Sequence, residues 1–170
     1  MTNKFDNIIN KFPSDLKKRI LNLKNVDQRR DFHPEGDVLT HTKLVFNRLA
    51  KVTNDIDILL AAVFHDIGKD STTAINPRTG KLSAIGHEKV SASLVNFHQD
   101  VIDDFGGNTQ MVHDIVLNHM KIHQIDKMRP FKQDKFRNMD FFDKLNTFSQ
   151  ADFGGFKDEF ELITFESLKK

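Results

Sequence analysis

The 170-residue sequence has no cysteine, no tryptophan and no tyrosine. Without cysteine there is neither a disulfide nor a thiolate ligand, so a metal site must use nitrogen and oxygen donors. Without tyrosine no phenol can act as a catalytic acid. The aromatic content is sixteen phenylalanines, which implies a phenylalanine-rich core. Net charge is +1, from 25 Lys and Arg against 24 Asp and Glu, so no global field steers the chain to duplex DNA or a membrane surface. No apolar run approaches the roughly 20 residues that span a bilayer, and Met1–Phe12 lacks the apolar stretch of a secretion signal. A cytoplasmic protein without a membrane partner is expected. No repeat, low-complexity tract or linker divides the chain, and its length fits one domain over residues 1–170.

Against these absences stand eight histidines and a particular order of ligand-type residues. A lone His41 is followed by the adjacent pair His65–Asp66 and, far along the chain, by Asp152. Imidazole and carboxylate together suit a divalent ion such as Mn, Fe, Co, Ni or Zn, or Mg where oxygens dominate. One or two ions per chain are expected. Ligands so widely spaced can meet only inside a fold. The run Ile58–Ile67, ILLAAVFHDI, reads as a buried helix, with Gly68 as the residue just past its end. Asp66 then sits where the helix dipole disfavours negative charge, and a bound cation would remove that conflict. Asp152 falls on the apolar stripe Leu145, Phe148, Asp152. An unpaired buried carboxylate costs several kcal/mol, so it needs a cation. Metal is the economical partner, with Arg48 or Arg129 as alternatives.

The chain reads as helix after helix, with no convincing period-two strand. Ser14–Asp15 opens a short helix over LKKRILNL, and Asp37 or Thr40 opens the helix that carries His41. Asn54 is expected to cap a helix over Asp55–Ile67. A long loop, Asp70–Ile85, carries the turn sequence Asn76–Gly80. One helix is expected from about His87 to Phe105, ended by Gly106–Gly107, and another from Asn108 or Thr109 to about Ile122. Pro130 is expected to break the chain before two last helices, Gln133–Asp152 and Lys157–Leu168. The fold class is all-α, a single compact bundle.

Other residues are open to two readings. His87, His119 and His123, taken alone, are as well explained as core or surface histidines, and His98 and His113 are left so. His119 and His123 are four apart and share a helix face. Lys69 is either a solvated helix-end lysine or a ligand for a phosphoryl oxygen. The basic stretch Lys127–Arg137 is a solvated face, or a phosphate-binding one with Arg129 as the bidentate donor. His33–Gly36 has no evident role.

These motifs, HPEGDVLTHT (His33–Thr42), VFHDIGK (Val63–Lys69), GHE (Gly86–Glu88), NHMKIH (Asn118–His123), MRP (Met128–Pro130) and QADFGG (Gln150–Gly155), run in a known order. The sequence resembles the HD superfamily of metal-dependent phosphohydrolases. Within it, the sequence is most similar to the HD domain of bacterial CCA-adding tRNA nucleotidyltransferases, with a motif-bearing core at 32–155. The resemblance implies a helical HD-domain bundle and metal ligation by His41, His65, Asp66 and Asp152. It implies a second metal or a phosphate contact at His87 and His119, and substrate contacts at His123 and Arg129. It also implies 2′,3′-cyclic phosphodiesterase, 2′-nucleotidase or phosphatase chemistry. Asp66, Lys69, His87 and His119 would be its catalytic residues, and a small nucleotide or RNA end its substrate. Only about 30 residues precede the match, without a nucleotidyl-transfer motif, so nucleotide addition is not expected of this sequence. The alternatives are a nucleotide or alarmone pyrophosphohydrolase and a non-catalytic metal-dependent nucleotide-binding module.

Overall fold

The structure, a computed structural model, describes residues 4–152. The order is α1 (Lys4–Ile9), α2 (Ser14–Asn22), α3 (Val38–Val52), α4 (Ile56–Phe64) and α5 (Lys69–Thr72), then the hairpin β1 (Thr73–Ile75) and β2 (Leu82–Ala84). Helices α6 (His87–Phe97), α7 (Gln99–Asp104), α8 (Thr109–Ile122), α9 (Pro130–Arg137) and α10 (Phe142–Asp152) follow. The all-α expectation holds, with one antiparallel hairpin among the described residues.

Helix α4 is the centre of the bundle. Every residue from Asp57 to Phe64 is buried, and the run from Ile58 to Phe64 is apolar on every face, as expected for a helix at the centre of a bundle. Helices α3, α8 and α10 pack on it and α6 adjoins it; α8 also meets α6 and α10. Phenylalanines fill the interior edge to face: Phe5 against Phe46 at 5.3 Å and Phe12 against Phe105 at 5.6 Å. Such aromatic pairs add about 0.5–1.5 kcal/mol each beyond the area they bury.

Side-chain caps set several helix starts. The Asp37 carboxylate accepts from the Thr40 N–H at 2.8 Å and starts α3, placing His41 in its first turns. Asn108 does the same for α8, accepting from the Met111 N–H at 3.0 Å.

Other boundaries differ from the sequence reading. Asp55, not Asn54, caps α4, accepting from the Asp57 N–H at 3.0 Å. Pro13 precedes α2, and Ser14 is its first residue. Helix α4 ends at Phe64, so His65 and Asp66 lie in the turn beyond it. Gly68 has an ordinary φ of −71° and opens α5 rather than closing α4 in a left-handed cap. Its smallness serves a close approach: a Cβ there would meet the His87 carbonyl oxygen at 2.7 Å and the Ser91 nitrogen at 2.9 Å. The loop expected over Asp70–Ile85 is instead α5 and a hairpin. Its strands are three residues each, too short for a period-two signal, and the Asn76–Gly80 turn closes it with Gly80 at φ +67°. The helix expected over 87–105 breaks at His98 into α6 and α7. Pro130 begins α9 at the position where its missing N–H costs nothing. The helix expected over 133–152 is interrupted at 138–141. The helix expected at Lys157–Leu168, and the end of the QADFGG motif, lie outside the described residues.

Candidate metal centre

The bundle brings its ligand-type residues to one end of α4. His41 comes from α3, His65 and Asp66 from the turn after α4, His87 from the start of α6, His119 from α8 and Asp152 from the end of α10. His41, His65, Asp66, His87 and His119 are all buried.

Each histidine is anchored through Nδ1 and presents Nε2 to its neighbours. His65 Nδ1 lies 2.9 Å from the Ala62 carbonyl oxygen, His87 Nδ1 2.7 Å from that of Ala84 and His119 Nδ1 2.6 Å from that of Val116. A carbonyl only accepts, so each Nδ1 carries the hydrogen, and in a neutral ring Nε2 is left as a bare lone pair. His41 Nδ1 is 2.6 Å from Glu35 Oε1 instead.

The Nε2 atoms converge on Asp66, whose two oxygens divide them. Asp66 Oδ2 is 3.2 Å from His65 Nε2 and 3.8 Å from His41 Nε2. Asp66 Oδ1 is 3.2 Å from His87 Nε2 and 3.7 Å from His119 Nε2. Asp152 completes the first group, with Oδ1 2.9 Å from His41 Nε2 and 3.7 Å from His65 Nε2. Proximity is not hydrogen bonding here: His65 Nε2 and Asp66 Oδ1 are buried and have no partner with hydrogen-bond geometry. The Nε2 atoms of His87 and His119 face each other at 3.2 Å, each backed by a carbonyl-bound Nδ1. Inward lone pairs and carboxylate oxygens, anchored from behind, are the donor set a divalent cation needs. His41, His65 and Asp66 form one close group, and Asp66, His87 and His119 another.

The electrostatics follow from this crowding. Burial opposes charge on Asp66, but the neighbouring His65 and Lys69 hold its carboxyl well below the usual range. Burial likewise opposes charge on Asp152, and hydrogen bonds from His123 and His41 outweigh it, keeping the carboxyl ionised. Burial also opposes a charge on His41, yet Asp152 on one side and Glu35 on the other push its pKa up to about 9. His119 goes the other way: burial, with His65 beside it, pulls it down to about 3, so its ring stays neutral.

Lys69 is buried rather than solvated. Its Nζ donates to Asp66 Oδ2 at 2.8 Å and to Gln28 Oε1 at 2.7 Å, leaving one of three hydrogens for a ligand. His123 is exposed at the rim, its Nε2 3.4 Å from Asp152 Oδ2. Arg129 is exposed too, at the residue before α9. Arg48 gives Nη1 to the Ala151 carbonyl at 2.6 Å. His98 and His113 lie away from the centre: His98 packs between Phe97 and Phe64, and His113 is 2.9 Å from Asp114.

Sequence reasoning missed Glu35. Its side chain is nearly inaccessible, and its Oε1 lies against both His41 Nδ1 and, at 3.1 Å, His33 Nδ1. Gly36, at φ +98°, makes the turn that inserts it. The only available signal was the HPEG tetrapeptide just before His41. Missed as well were the walls of a cavity of about 340 Å³ beside the centre, which Lys69 and His87 also line.

The HD domain family matches residues 38–152. A "Multifunctional CCA protein" of Dechloromonas aromatica is 43% identical over 70 residues, 41% of this chain and 16% of that protein. Proteins of the same name from Cupriavidus necator and Burkholderia mallei are 39% identical over 71 residues, again 41% of this chain and 16% of theirs. The chain thus spans only about a sixth of the curated relatives it matches. No solved structure matches.

Proposed function

The chain belongs to the HD domain family, and from that membership we propose that it is a metal-dependent phosphohydrolase acting on a nucleotide or RNA-terminal phosphoester. The observation that carries this reading is the convergence of four imidazole Nε2 atoms on the two oxygens of Asp66. His41, His65, Asp66 and Asp152 would hold one divalent ion. His87 and His119, with the other oxygen of Asp66, would hold a second ion or contact the phosphate. A bound divalent ion supplies Lewis-acid polarisation of a phosphoryl oxygen and acidifies water.

The chain's own residues do the rest. Asp66 balances positive charge and ties the two histidine groups together. Lys69 fixes one Asp66 oxygen and keeps a hydrogen for a phosphoryl oxygen, so it stabilises charge that builds there. His119, neutral at physiological pH, offers a lone pair rather than a proton. His123, near Asp152 at the rim, would meet the leaving part of the substrate.

A single phosphoryl group suits this site better than a triphosphate. A triphosphate carries about four negative charges and needs several cationic clamps or a glycine-rich cradle. Among the cavity-lining residues, the lysine and arginine side chains are Lys69 and Arg29. The resemblance to the HD domain of CCA-adding enzymes, with which relatives named "Multifunctional CCA protein" are in keeping, supports an RNA-end or nucleotide substrate. Purified protein assayed against nucleoside 2′-, 3′-, 5′- and 2′,3′-cyclic phosphates, with each divalent ion in turn, tests the reading. Turnover of 2′- or cyclic phosphates in preference to triphosphates is expected. Strong triphosphate or alarmone hydrolysis without activity on 2′- or cyclic phosphates would replace it with a pyrophosphohydrolase.

A further inference from the structure

The cavity of about 340 Å³ beside the metal centre has walls that the chemistry above does not use. It shares Lys69 and His87 with the centre, so a group inside it can be covalently continuous with a phosphoryl group at Asp66. One wall is the Asp27–His33 loop, and the other runs from the end of the hairpin into the start of α6. The space lies at the small end of the roughly 300–1,000 Å³ range of ligand pockets, enough for one ring system and its sugar but not an oligomer.

Two features define what fits. The first is a flat stack on the loop. Phe32 is 61% exposed, so its ring is open to a ligand, and it lines the cavity, which the other exposed phenylalanines among the described residues, Phe97 and Phe131, do not. The Arg29 guanidinium lies over this ring, its central carbon 4.5 Å from the ring centroid. Asp31 holds that guanidinium with two bonds, one from Nε at 3.0 Å and one from Nη2. Ring and guanidinium are therefore an oriented planar surface of the kind on which bases stack. The second feature is charge. Asp27 and Glu88 also line the cavity, and a second phosphate entering it would meet their carboxylates. An uncharged ring with polar edges meets no such penalty, while Leu82 and Ile85 cover its apolar faces.

We propose that this cavity is a nucleobase subsite in which an unpaired base stacks on the Phe32–Arg29 surface while its phosphate reaches Asp66. The proposal rests on the phosphoesterase reading for the position of the phosphate, but the base subsite itself is testable without hydrolysis.

The probe is 2-aminopurine riboside, a fluorescent nucleoside without phosphate. Its emission is free of protein background because the chain has no Trp or Tyr. Titration with the purified full chain is expected to give saturable quenching. Phe32→Ala should weaken binding about tenfold, equal to about 1.4 kcal/mol and within the range of base–aromatic stacking. Phe32→Tyr should retain it. Phe32 is exposed, and unchanged helical circular dichroism verifies that both variants fold. In the kinetic arm, Phe32→Ala should raise KM about tenfold for a 2′,3′-cyclic nucleotide and leave KM for a small aryl phosphate unchanged. No saturable quenching by the wild type, or equal quenching by wild type and Phe32→Ala, overturns the subsite. Quenching that depends on Phe32 in a protein that hydrolyses no phosphoester keeps the subsite and overturns the phosphoesterase reading. Nucleotide hydrolysis with KM unaffected by Phe32→Ala does the reverse.

Discussion

The two sides of Asp66 use the same side chain, histidine, and differ in what stands behind it. On one side His41 shares its Nδ1 hydrogen with the Glu35 carboxylate and meets a second carboxylate, Asp152, at Nε2. On the other, His87 and His119 give their Nδ1 hydrogens to the peptide carbonyls of Ala84 and Val116, and Asp66 Oδ1 is the carboxylate oxygen near their Nε2 atoms. A carboxylate behind an imidazole makes it a stronger donor than a carbonyl does, and added negative charge holds a cation more firmly. The His41 side should therefore bind a divalent ion tightly and the His87–His119 side loosely. One carboxylate, Asp66, couples them.

The largest effect should come from removing that coupling. Asp66→Ala is expected to abolish turnover and cation binding on both sides while circular dichroism stays helical. Full activity on any phosphoester in this variant would break the scheme. Next come the sides themselves, compared by calorimetric titration with Mn or Ni. His41→Ala should erase the tight event, and His87→Ala or His119→Ala should erase the weak one, from about two equivalents to about one. If the second group contacts phosphate instead, stoichiometry stays at one in the wild type and kcat falls in these variants. Equal loss of a single event in all three variants would show that Asp66 does not divide the site.

Glu35→Gln sharpens the comparison at the anchoring residue. It keeps the shape and removes the charge behind His41, so metal affinity should fall about 10–100-fold, and the apo melting temperature should fall as well because the buried His41 loses a carboxylate partner. An unchanged affinity would mean that Glu35 anchors the loop and not the ligand. A smaller effect is thermal. Saturating cation, at about 100 times its Kd, stabilises by about 2.7 kcal/mol, or roughly 5–10 °C for a domain of this size. Asp66→Ala should show none of this rise. Smallest of all is Arg129→Ala. Its position outside the cavity lining predicts a change in nucleotide KM of less than about threefold, on the scale of an exposed charge. A rise of tenfold or more would place substrate along α9.

Much of the site was legible because its residues carry their chemistry in their type. Histidine and aspartate in a cysteine-free chain point to a cation wherever they meet, and a ten-residue apolar run ending in His65–Asp66 points to a buried helix delivering them. Helix starts at Asp37 and Asn108 were legible because the cap is local, one carboxylate or amide oxygen meeting a backbone N–H three residues on. Glu35 was not. It acts across a turn, six residues from His41, and no periodicity links the two. Nor was the hairpin at 73–84, whose three-residue strands carry no alternation. Gly68 was read as a helix end because glycine favours one; its φ is ordinary, and α6, 19 residues later, is what demands it.

By itself the sequence determined the all-helical class, the central helix and the set of residues able to hold a cation, because these depend on local propensity and on the donor atoms each side chain owns. The tertiary structure alone decided that the Nε2 atoms face inward, that the two Asp66 oxygens divide them, that Glu35 stands behind His41, and that Phe32 and Arg29 wall a cavity beside them. Apart from Glu35, which acts across a local turn that no periodicity marks, these depend on contacts between segments distant in the chain, and a linear pattern carries no record of which lone pairs a fold will turn toward one another.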